Sequence, residues 1–263
     1  MIGAVETHTE TFGEGPPIIL LHGFTGDTTT MRGLSDSIDG CGRRILVDLI
    51  GHGKSDAPHR HSYPMNEAVQ QIHSVAETLD EPPVLIGYSL GGRVAISAAV
   101  HGMPLRGLVT IGGRAGIADP EERTLRRFAD DALADNIEEK GIAWFVDHWA
   151  NRPFNASQKT LGSSHLAESR TQRLGNSCHA LAASLRGMGV AVQEPLGELL
   201  PRIDTPTLVM VGELDVRFRE CADELLCGIP NAELAVVPIA GHAAHLEAPS
   251  DTARAIRGFL TRI

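Results

Sequence analysis

Val84-Leu85-Ile86-Gly87-Tyr88-Ser89-Leu90-Gly91-Gly92-Arg93-Val94-Ala95-Ile96-Ser97-Ala98-Ala99-Val100 is the stretch whose reading decides the fold. Its first three residues are apolar enough for a buried strand, and its last seven form an Ala-rich run with helical character. Between them lies Gly87-x-Ser89-x-Gly91, the pattern of a nucleophile elbow, in which a serine occupies the tip of a tight strand-to-helix turn. Such a turn is strained, and a Cβ at 87 or 91 would collide with neighbouring backbone. The following helix aims unpaired N–H groups at any anion formed beside Ser89. With 28 glycines in the chain, the same pentapeptide also reads as an ordinary Gly/Ser turn, so the flanking segments must decide.

Upstream, Ile18-Ile19-Leu20-Leu21 is a continuous apolar run, as expected of a strand buried on both faces of a parallel sheet. It ends in His22-Gly23-Phe24-Thr25-Gly26, at a strand's carboxyl end, where open α/β sheets bind ligands. A strand is expected over residues 4–12 and another over Arg44-Ile45-Leu46-Val47-Asp48, followed by Gly51-His52-Gly53-Lys54-Ser55. Residues 66–79 place Val69, Ile72, Ala76 and Leu79 on one helical face. Downstream of the Ser89 helix, Leu108-Val109-Thr110-Ile111 reads as a strand, and there the alternation stops. From Arg114 to about Glu198 the pattern is helical. Asp119-Pro120-Glu121-Glu122 supplies an N-cap, a first-position proline and acids in the first turn. Leu125, Phe128, Ala132 and Leu133 would form that helix's apolar face. Ile142, Phe145, Val146 and Trp149 repeat the spacing, and a third stretch runs from about His165 to Met188. Strands return at Thr207-Leu208-Val209-Met210-Val211 and Leu234-Ala235-Val236-Val237. A terminal helix starting at Pro249 carries Ile256, Phe259, Leu260 and Ile263 on one face. Alternating strands and helices imply a mainly parallel sheet flanked by helices. We divide the chain into an α/β core over 1–113 and 199–263 and a helical cap over 114–198; the latter also reads as ordinary core helices.

The formal net charge of −10 argues against nucleic acid or an anionic membrane as a partner. An anionic substrate would need a local cluster of cations working against that field. Cys41, Cys178, Cys221 and Cys227 form no C-x-x-C pair and no metal spacing, which suits a reducing compartment. The segment Met1-Ile2-Gly3-Ala4-Val5-Glu6 lacks the regions of a signal peptide, and no apolar run approaches the ~20 residues that span a bilayer. The expectation is a cytoplasmic enzyme, monomeric or a small homo-oligomer, with no metal and no cofactor, acting on a small molecule.

Three reactive side chains fall at the ends of three strands in the order Ser89, Asp215, His242, the order of an α/β-hydrolase triad. His242 would take the proton of Ser89, and Asp215 would orient and charge-stabilise the imidazole. His242 is favoured over its competitor His245 because it follows the last strand in a Gly-flanked loop. Asp215 is favoured over Glu213 because the residue further past the strand end reaches the histidine better. His22 reads as a brace for the loop after its strand. The oxyanion hole would be the backbone N–H groups of Leu90 and Phe24. Arg93, one helical turn from Ser89, opposes the helix dipole and can bind a carboxylate bidentately; it also reads as a solvated flank residue. Arg123, Arg126, Arg127, Arg170 and Arg173 carry the same two readings, and Trp149 is either core or pocket wall.

Leu21-His22-Gly23-Phe24-Thr25-Gly26, Gly51-His52-Gly53-Lys54-Ser55 and Gly87-Tyr88-Ser89-Leu90-Gly91-Gly92-Arg93 resemble an α/β-hydrolase subfamily of menaquinone biosynthesis. Its members are the 2-succinyl-6-hydroxy-2,4-cyclohexadiene-1-carboxylate synthases. Arg173-Leu174-Gly175-Asn176-Ser177, Leu181 to Gly189 and Gln193-Glu194-Pro195-Leu196 are similar to that family's cap. Val211 to Phe218 and Ala240 to Glu247 are similar to its acid and histidine segments. The resemblance covers almost the whole chain. It implies an α/β-hydrolase fold with a helical cap and a lyase whose substrate is a polycarboxylate. The triad would abstract a proton beside the succinyl ketone, the oxyanion hole would hold the enolate, and electron flow through the ring would expel pyruvate without an acyl-enzyme. By family position, Arg93, Arg126 and Arg173 would bind carboxylates, with Tyr88 and Trp149 lining the pocket. Ala118 stands where some members carry a polar residue, Gly197 replaces a common tryptophan, and the amino terminus is a strand short. A serine hydrolase of esters or carbon–carbon bonds, and a ligand-binding receptor on the same scaffold, are the alternatives.

Overall fold

The computed structural model describes residues 5–263. Residues 1–4, which hold the start of the first expected strand and most of the segment read for a signal peptide, lie outside the described residues. The sheet has seven strands: β1 (Thr9–Phe12), β2 (Pro17–Leu21), β3 (Arg43–Val47), β4 (Val84–Tyr88), β5 (Gly107–Ile111), β6 (Thr207–Gly212) and β7 (Ala232–Val237). Their order across the sheet is β1-β3-β2-β4-β5-β6-β7. Among the described residues only β1 runs antiparallel to its neighbour, pairing Thr9 with Val47 and Phe12 with Arg44. It is shorter than the stretch expected from residue 4. All other pairs are parallel, so one edge of the sheet gathers the carboxyl ends of β2, β4, β5, β6 and β7. β2 is bordered by β3 on one side and β4 on the other. The loops after β2 and β4 are thereby neighbours at the crevice where parallel sheets bind ligands.

The apolar runs of β2, β4, β5 and β6 are buried on both faces, as their lack of alternation requires, whereas edge strand β7 is only partly buried. Ile19, Leu21, Leu85 and Val209 pack into the core of one face, and Ile18, Leu20, Ile86 and Val109 into that of the other. Helices α1 (Thr28–Ser37), α2 (Met65–Glu77) and α3 (Leu90–Val100) follow β2, β3 and β4; α7 (Val216–Gly228), α8 (Ala244–Glu247) and α9 (Pro249–Leu260) complete the frame. α1 and α7 have no counterpart in the pattern reading. α1 is set by its cap: the Asp27 carboxylate accepts the Thr29 N–H at 2.9 Å, and Thr30 closes a reciprocal capping box.

Between β5 and β6 lie α4 (Pro120–Ala150), α5 (Ser163–Leu174) and α6 (Cys178–Met188). α4 is two helical pieces joined at Gly141, whose φ of 81° breaks the helix. The third expected stretch is divided at Gly175-Asn176-Ser177 into α5 and α6. Ala134, Ile137, Phe145, Val146, Leu181 and Ala182 form a separate core between α4 and α6. The expected apolar face of α4 is corrected here: Leu125 and Phe128 are 66% and 70% exposed, whereas Asp130 is 6% exposed. The inward stripe runs through Arg126, Asp130, Leu133, Ala134 and Ile137, and its first two positions are polar. Counting apolar residues therefore found Leu133 but otherwise selected the solvent side, Leu125, Phe128 and Ala132.

Two substitutions separate these readings of α4. Phe145→Ala should cost roughly 3–5 kcal/mol of unfolding free energy by emptying the α4–α6 core. Phe128→Ser should stay within about 0.5 kcal/mol, measured by denaturant titration. A large loss at Phe128 would restore the rejected face.

Candidate active site

Ser89 holds φ 49°, ψ −103° between β4 and α3, a left-handed backbone that a non-glycine residue adopts only when its surroundings impose it. The surroundings are backbone. A Cβ on Gly87 would come 2.3 Å from the Gly91 carbonyl oxygen, and one on Gly91 would come 2.5 Å from that of Leu21. The Ser89 N–H donates to Ile111 O at 2.9 Å and the Gly91 N–H to His22 O at 3.0 Å. The elbow is thus fastened to both neighbouring strands.

The structure brings Ser89, His242 and Asp215 together. Ser89 Oγ lies 2.9 Å from His242 Nε2, and His242 Nδ1 lies 2.7 Å from Asp215 Oδ2. With a proton on Nδ1 donated to the carboxylate, Nε2 is left to accept from the serine hydroxyl, the tautomer that base catalysis requires. Glu213 does something else: its Oε2 accepts the N–H of Ile239 at 2.9 Å. The ends of β6 and the His242 loop close on each other so tightly that a Cβ on Gly212 would stand 2.1 Å from Gly241 O. One residue that sequence reasoning gave no role is Glu247. Its two carboxylate oxygens accept the N–H of Gly241 at 2.6 Å and of Ala243 at 3.1 Å, bracketing His242. Phe218, at 4.2 Å between ring centroids, and Phe154, at 5.7 Å, wall the imidazole.

The loop after β2 is held by His22. Its Nε2 accepts the Leu49 N–H at 3.0 Å, so its Nδ1 carries the proton and donates to Gly23 O at 2.8 Å. Burial lowers its pKa to about 4, which keeps this tautomer neutral. Gly23 O also accepts the Gly26 N–H at 3.0 Å. In a trans peptide the C=O and the next N–H point in opposite directions, so pinning Gly23 O aims the Phe24 N–H away from His22. A Cβ on Gly23 would lie 3.5 Å from Ser89 Cβ, which puts this peptide against the serine. Among the described residues, no loop or cap hydrogen bond occupies the N–H of Phe24 or of Leu90. Both remain available to an oxyanion. Gln172 and Asn176 reach across from α5 and the α5–α6 turn to donate to Thr25 O at 2.9 and 3.1 Å, gripping the same loop from above.

Two adjoining cavities meet at Phe24, Ser89, Trp149, Phe154 and His242. The larger, about 160 Å³, is walled by Arg93, Arg114, Arg126, Arg152 and Arg217. Arg93 is half-buried and donates to Met188 O at 2.7 Å and Gln193 Oε1 at 2.9 Å. Among the described residues its guanidinium meets no carboxylate within ion-pair distance. Burial, then the nearby Arg126, lowers its pKa to about 9. Arg126 donates to Asp130 Oδ1 at 2.8 Å. Arg173 is in the smaller cavity, with Tyr88 and His245; burial lowers its pKa and pushes the Tyr88 phenol above its ordinary range. Arg127 and Arg170 pair with Asp131 and Asp147 on the exposed surface, and Arg123 lines neither cavity. The pattern reading missed Arg152 and Phe154, which follow the end of α4 with no periodic signal. His245 is 2% exposed and packs on the Tyr88 ring at 4.4 Å rather than on Ser89. Among the described residues no group of three or more His, Cys, Asp or Glu side chains is arranged to hold a metal, and no helix is long and apolar enough to cross a membrane.

Residues 18–255 match the model of the alpha/beta hydrolase family. A Bacillus subtilis (strain 168) protein, provisionally named 2-succinyl-6-hydroxy-2,4-cyclohexadiene-1-carboxylate synthase, is 35% identical over 95% of this chain and 93% of its own. The synthase of that name from Salmonella typhimurium (strain LT2) is 34% identical over 89% and 90%. The solved structure of MenH from S. aureus superposes with a TM-score of 0.92, at 28% identity and 99% coverage of both chains.

The buried histidines give a pH prediction. His22, His52 and His245 have pKa values of about 4, 3 and 3, each lowered chiefly by burial from 6.5. Unfolding near pH 5 lets all three take up protons that the folded chain refuses. Their stabilisation is complete above about pH 6.5 and is lost as pH falls, at roughly 4 kcal/mol per pH unit near pH 5. Urea titrations at pH 7, 6 and 5 measure this slope. A flat profile would mean that these rings are charged in the folded state.

Proposed function

The chain belongs to the alpha/beta hydrolase family and to its 2-succinyl-6-hydroxy-2,4-cyclohexadiene-1-carboxylate synthases, and we propose that Ser89, His242 and Asp215 work in it as the base of a pyruvate-eliminating lyase. The substrate is 2-succinyl-5-enolpyruvyl-6-hydroxy-3-cyclohexene-1-carboxylate. Residues 114–198 act as a cap over a core of 1–113 and 199–263, in a cytoplasmic monomer or small homo-oligomer that uses no cofactor.

His242 draws the proton from Ser89 Oγ, and the serine oxygen removes the ring proton beside the succinyl ketone. The electron pair moves onto the ketone oxygen, where the N–H groups of Phe24 and Leu90 hold the enolate. As the ketone re-forms, the pair shifts through the ring double bond to make the 2,4-diene. The bond from ring carbon 5 to the enolpyruvyl oxygen breaks, and pyruvate leaves as its enolate. The proton held by the triad then returns to the departing group. Ser89 makes no bond to carbon. Asp215 stabilises the imidazolium formed in the first step.

The observation that carries this reading is Arg93, a guanidinium in the cavity wall beside Ser89 that meets only neutral acceptors. A half-buried cation held by neutral acceptors, with Asp130 as a nearby carboxylate, gains from an anion brought beside it, and the substrate brings three carboxylates. Incubation with the enolpyruvyl substrate, with pyruvate and diene absorbance followed together, tests the reaction directly. Ser89→Ala should lower turnover by about a thousandfold or more without loss of fold; a variant retaining half the rate would remove the triad from the mechanism.

Arg93→Met separates the lyase from an esterase built on the same triad. Leaving a substrate carboxylate unpaired costs roughly 2–5 kcal/mol, so lyase kcat/KM should fall about thirtyfold or more. Slow hydrolysis of a small neutral ester should survive within a few-fold. Equal loss on both would assign Arg93 to holding Met188 and Gln193, and the anion-pocket argument would be wrong.

A further inference from the structure

Asp130 is an acid in a cavity that binds acids, and the reaction gives it no task. It is 6% exposed and lines the larger cavity. Its Oδ1 accepts from Arg126 Nε at 2.8 Å, but its Oδ2 is buried with no hydrogen-bond partner among the described residues. A Cβ on Gly189 would stand 3.0 Å from Oδ2, which places that oxygen at the wall formed by Met188 and Gly189. Ser184, 1% exposed and in the same wall, also has an unpartnered Oγ. If Asp130 served only to hold Arg126, a bidentate pair would satisfy both oxygens and two guanidinium nitrogens at once. Instead one oxygen meets Nε, while Oδ2 stays unmet at the cavity wall, a costly state for a buried acceptor.

We propose that Arg126 and Asp130, one turn apart on the cavity face of α4, form a single recognition unit for a hydroxy acid whose two groups sit on adjacent carbons. Arg126 takes the carboxylate, and Asp130 Oδ2 accepts a hydrogen bond from the neighbouring hydroxyl. In the reaction assigned above, that pair is the 1-carboxylate and 6-hydroxyl of the ring. Asp130 is then a specificity-determining residue: it reads the hydroxyl that the elimination leaves untouched. It also discriminates against the aromatic acid that the diene becomes on losing water, 2-succinylbenzoate, which keeps the carboxylate and the succinyl chain but has no donor for Oδ2.

The identification of the ring rests on the proposed reaction, so the test reads binding and turnover separately. The diene product, prepared with a related synthase, and 2-succinylbenzoate are titrated calorimetrically into the wild type and into Asp130→Asn. The wild type should bind the diene about tenfold or more tightly than the benzoate. Asp130→Asn replaces the charged acceptor with a neutral amide, which the hydroxyl can meet only as acceptor, and should lower the ratio by about threefold or more. A wild-type ratio near one overturns the proposal without any variant, so misfolding of Asp130→Asn cannot shield it. Parallel weakening of both ligands in Asp130→Asn, with the ratio kept, also overturns it and makes Asp130 a positioning residue for Arg126. Absence of pyruvate release in the wild type, with the hydroxyl preference intact, would overturn the reaction and leave the hydroxy-acid site standing.

Discussion

The structure depends on one steric constraint: backbone packed against backbone at the tip of β4. Gly87 and Gly91 have no room for a Cβ because the Gly91 and Leu21 carbonyls occupy that space, and this contact forces Ser89 to φ 49°. The strain is held in place by the parallel neighbours, since Ser89 and Gly91 each donate a backbone hydrogen bond to the segment beside β4. The same closeness brings the loop after β2 against the serine, where His22 fixes the direction of one peptide. The cavity-lining Ser89 hydroxyl and the unoccupied Phe24 N–H, which the proposed reaction uses as base and oxyanion donor, are therefore consequences of sheet packing, and little side-chain freedom enters.

What was legible in the sequence follows from this. Ser89, His242 and Asp215 sit at strand ends, where a short apolar run, a glycine and a polar residue make a local signal that survives without knowledge of the tertiary structure. Glu213 and Asp215 both follow β6; standing further past the strand end already favours Asp215, and in the structure Asp215 meets Nδ1 while Glu213 accepts the Ile239 N–H. The helical segment was harder. Apolar spacing on α4 selected Leu125 and Phe128, but the positions facing the cavity are Arg126 and Asp130, so a functional face looks like a solvent face. Arg152 and Phe154 open a short 3-10 turn after α4 (Pro153–Thr160), too short to carry an apolar periodicity. Glu247 acts by hydrogen bonds to the backbone of its own loop, and Gln172 and Asn176 by hydrogen bonds to a distant one; no apolar spacing rule announces either.

The electrostatic arrangement works against the chain's own charge. A net −10 repels a polycarboxylate at long range, and salt screens that field beyond roughly 10 Å. Inside the cavity the nearby guanidiniums dominate, because interactions there are shorter and less screened. Withdrawing them from water has a cost, visible in the lowered pKa of Arg93 and Arg173, and a bound carboxylate offsets it. The site is therefore more strained empty than filled.

The cations are also divided. Arg93 and Arg126 border the larger cavity and Arg173 the smaller, and both cavities share Ser89 and His242. In the proposed reaction this division matters for the first step. Drawing a proton from Ser89 develops negative charge on an oxygen that already has substrate carboxylates for neighbours, and each such carboxylate would oppose it. Cations placed in both adjoining cavities neutralise the carboxylates where they bind and keep their charge from accumulating at the serine. A plain esterase acting on neutral esters has no such repulsion to offset. The same triad can thus serve either chemistry, and in the proposed reaction the side chains that turn it toward the anionic substrate are the ones that α3, α4 and α5 bring to the two cavities.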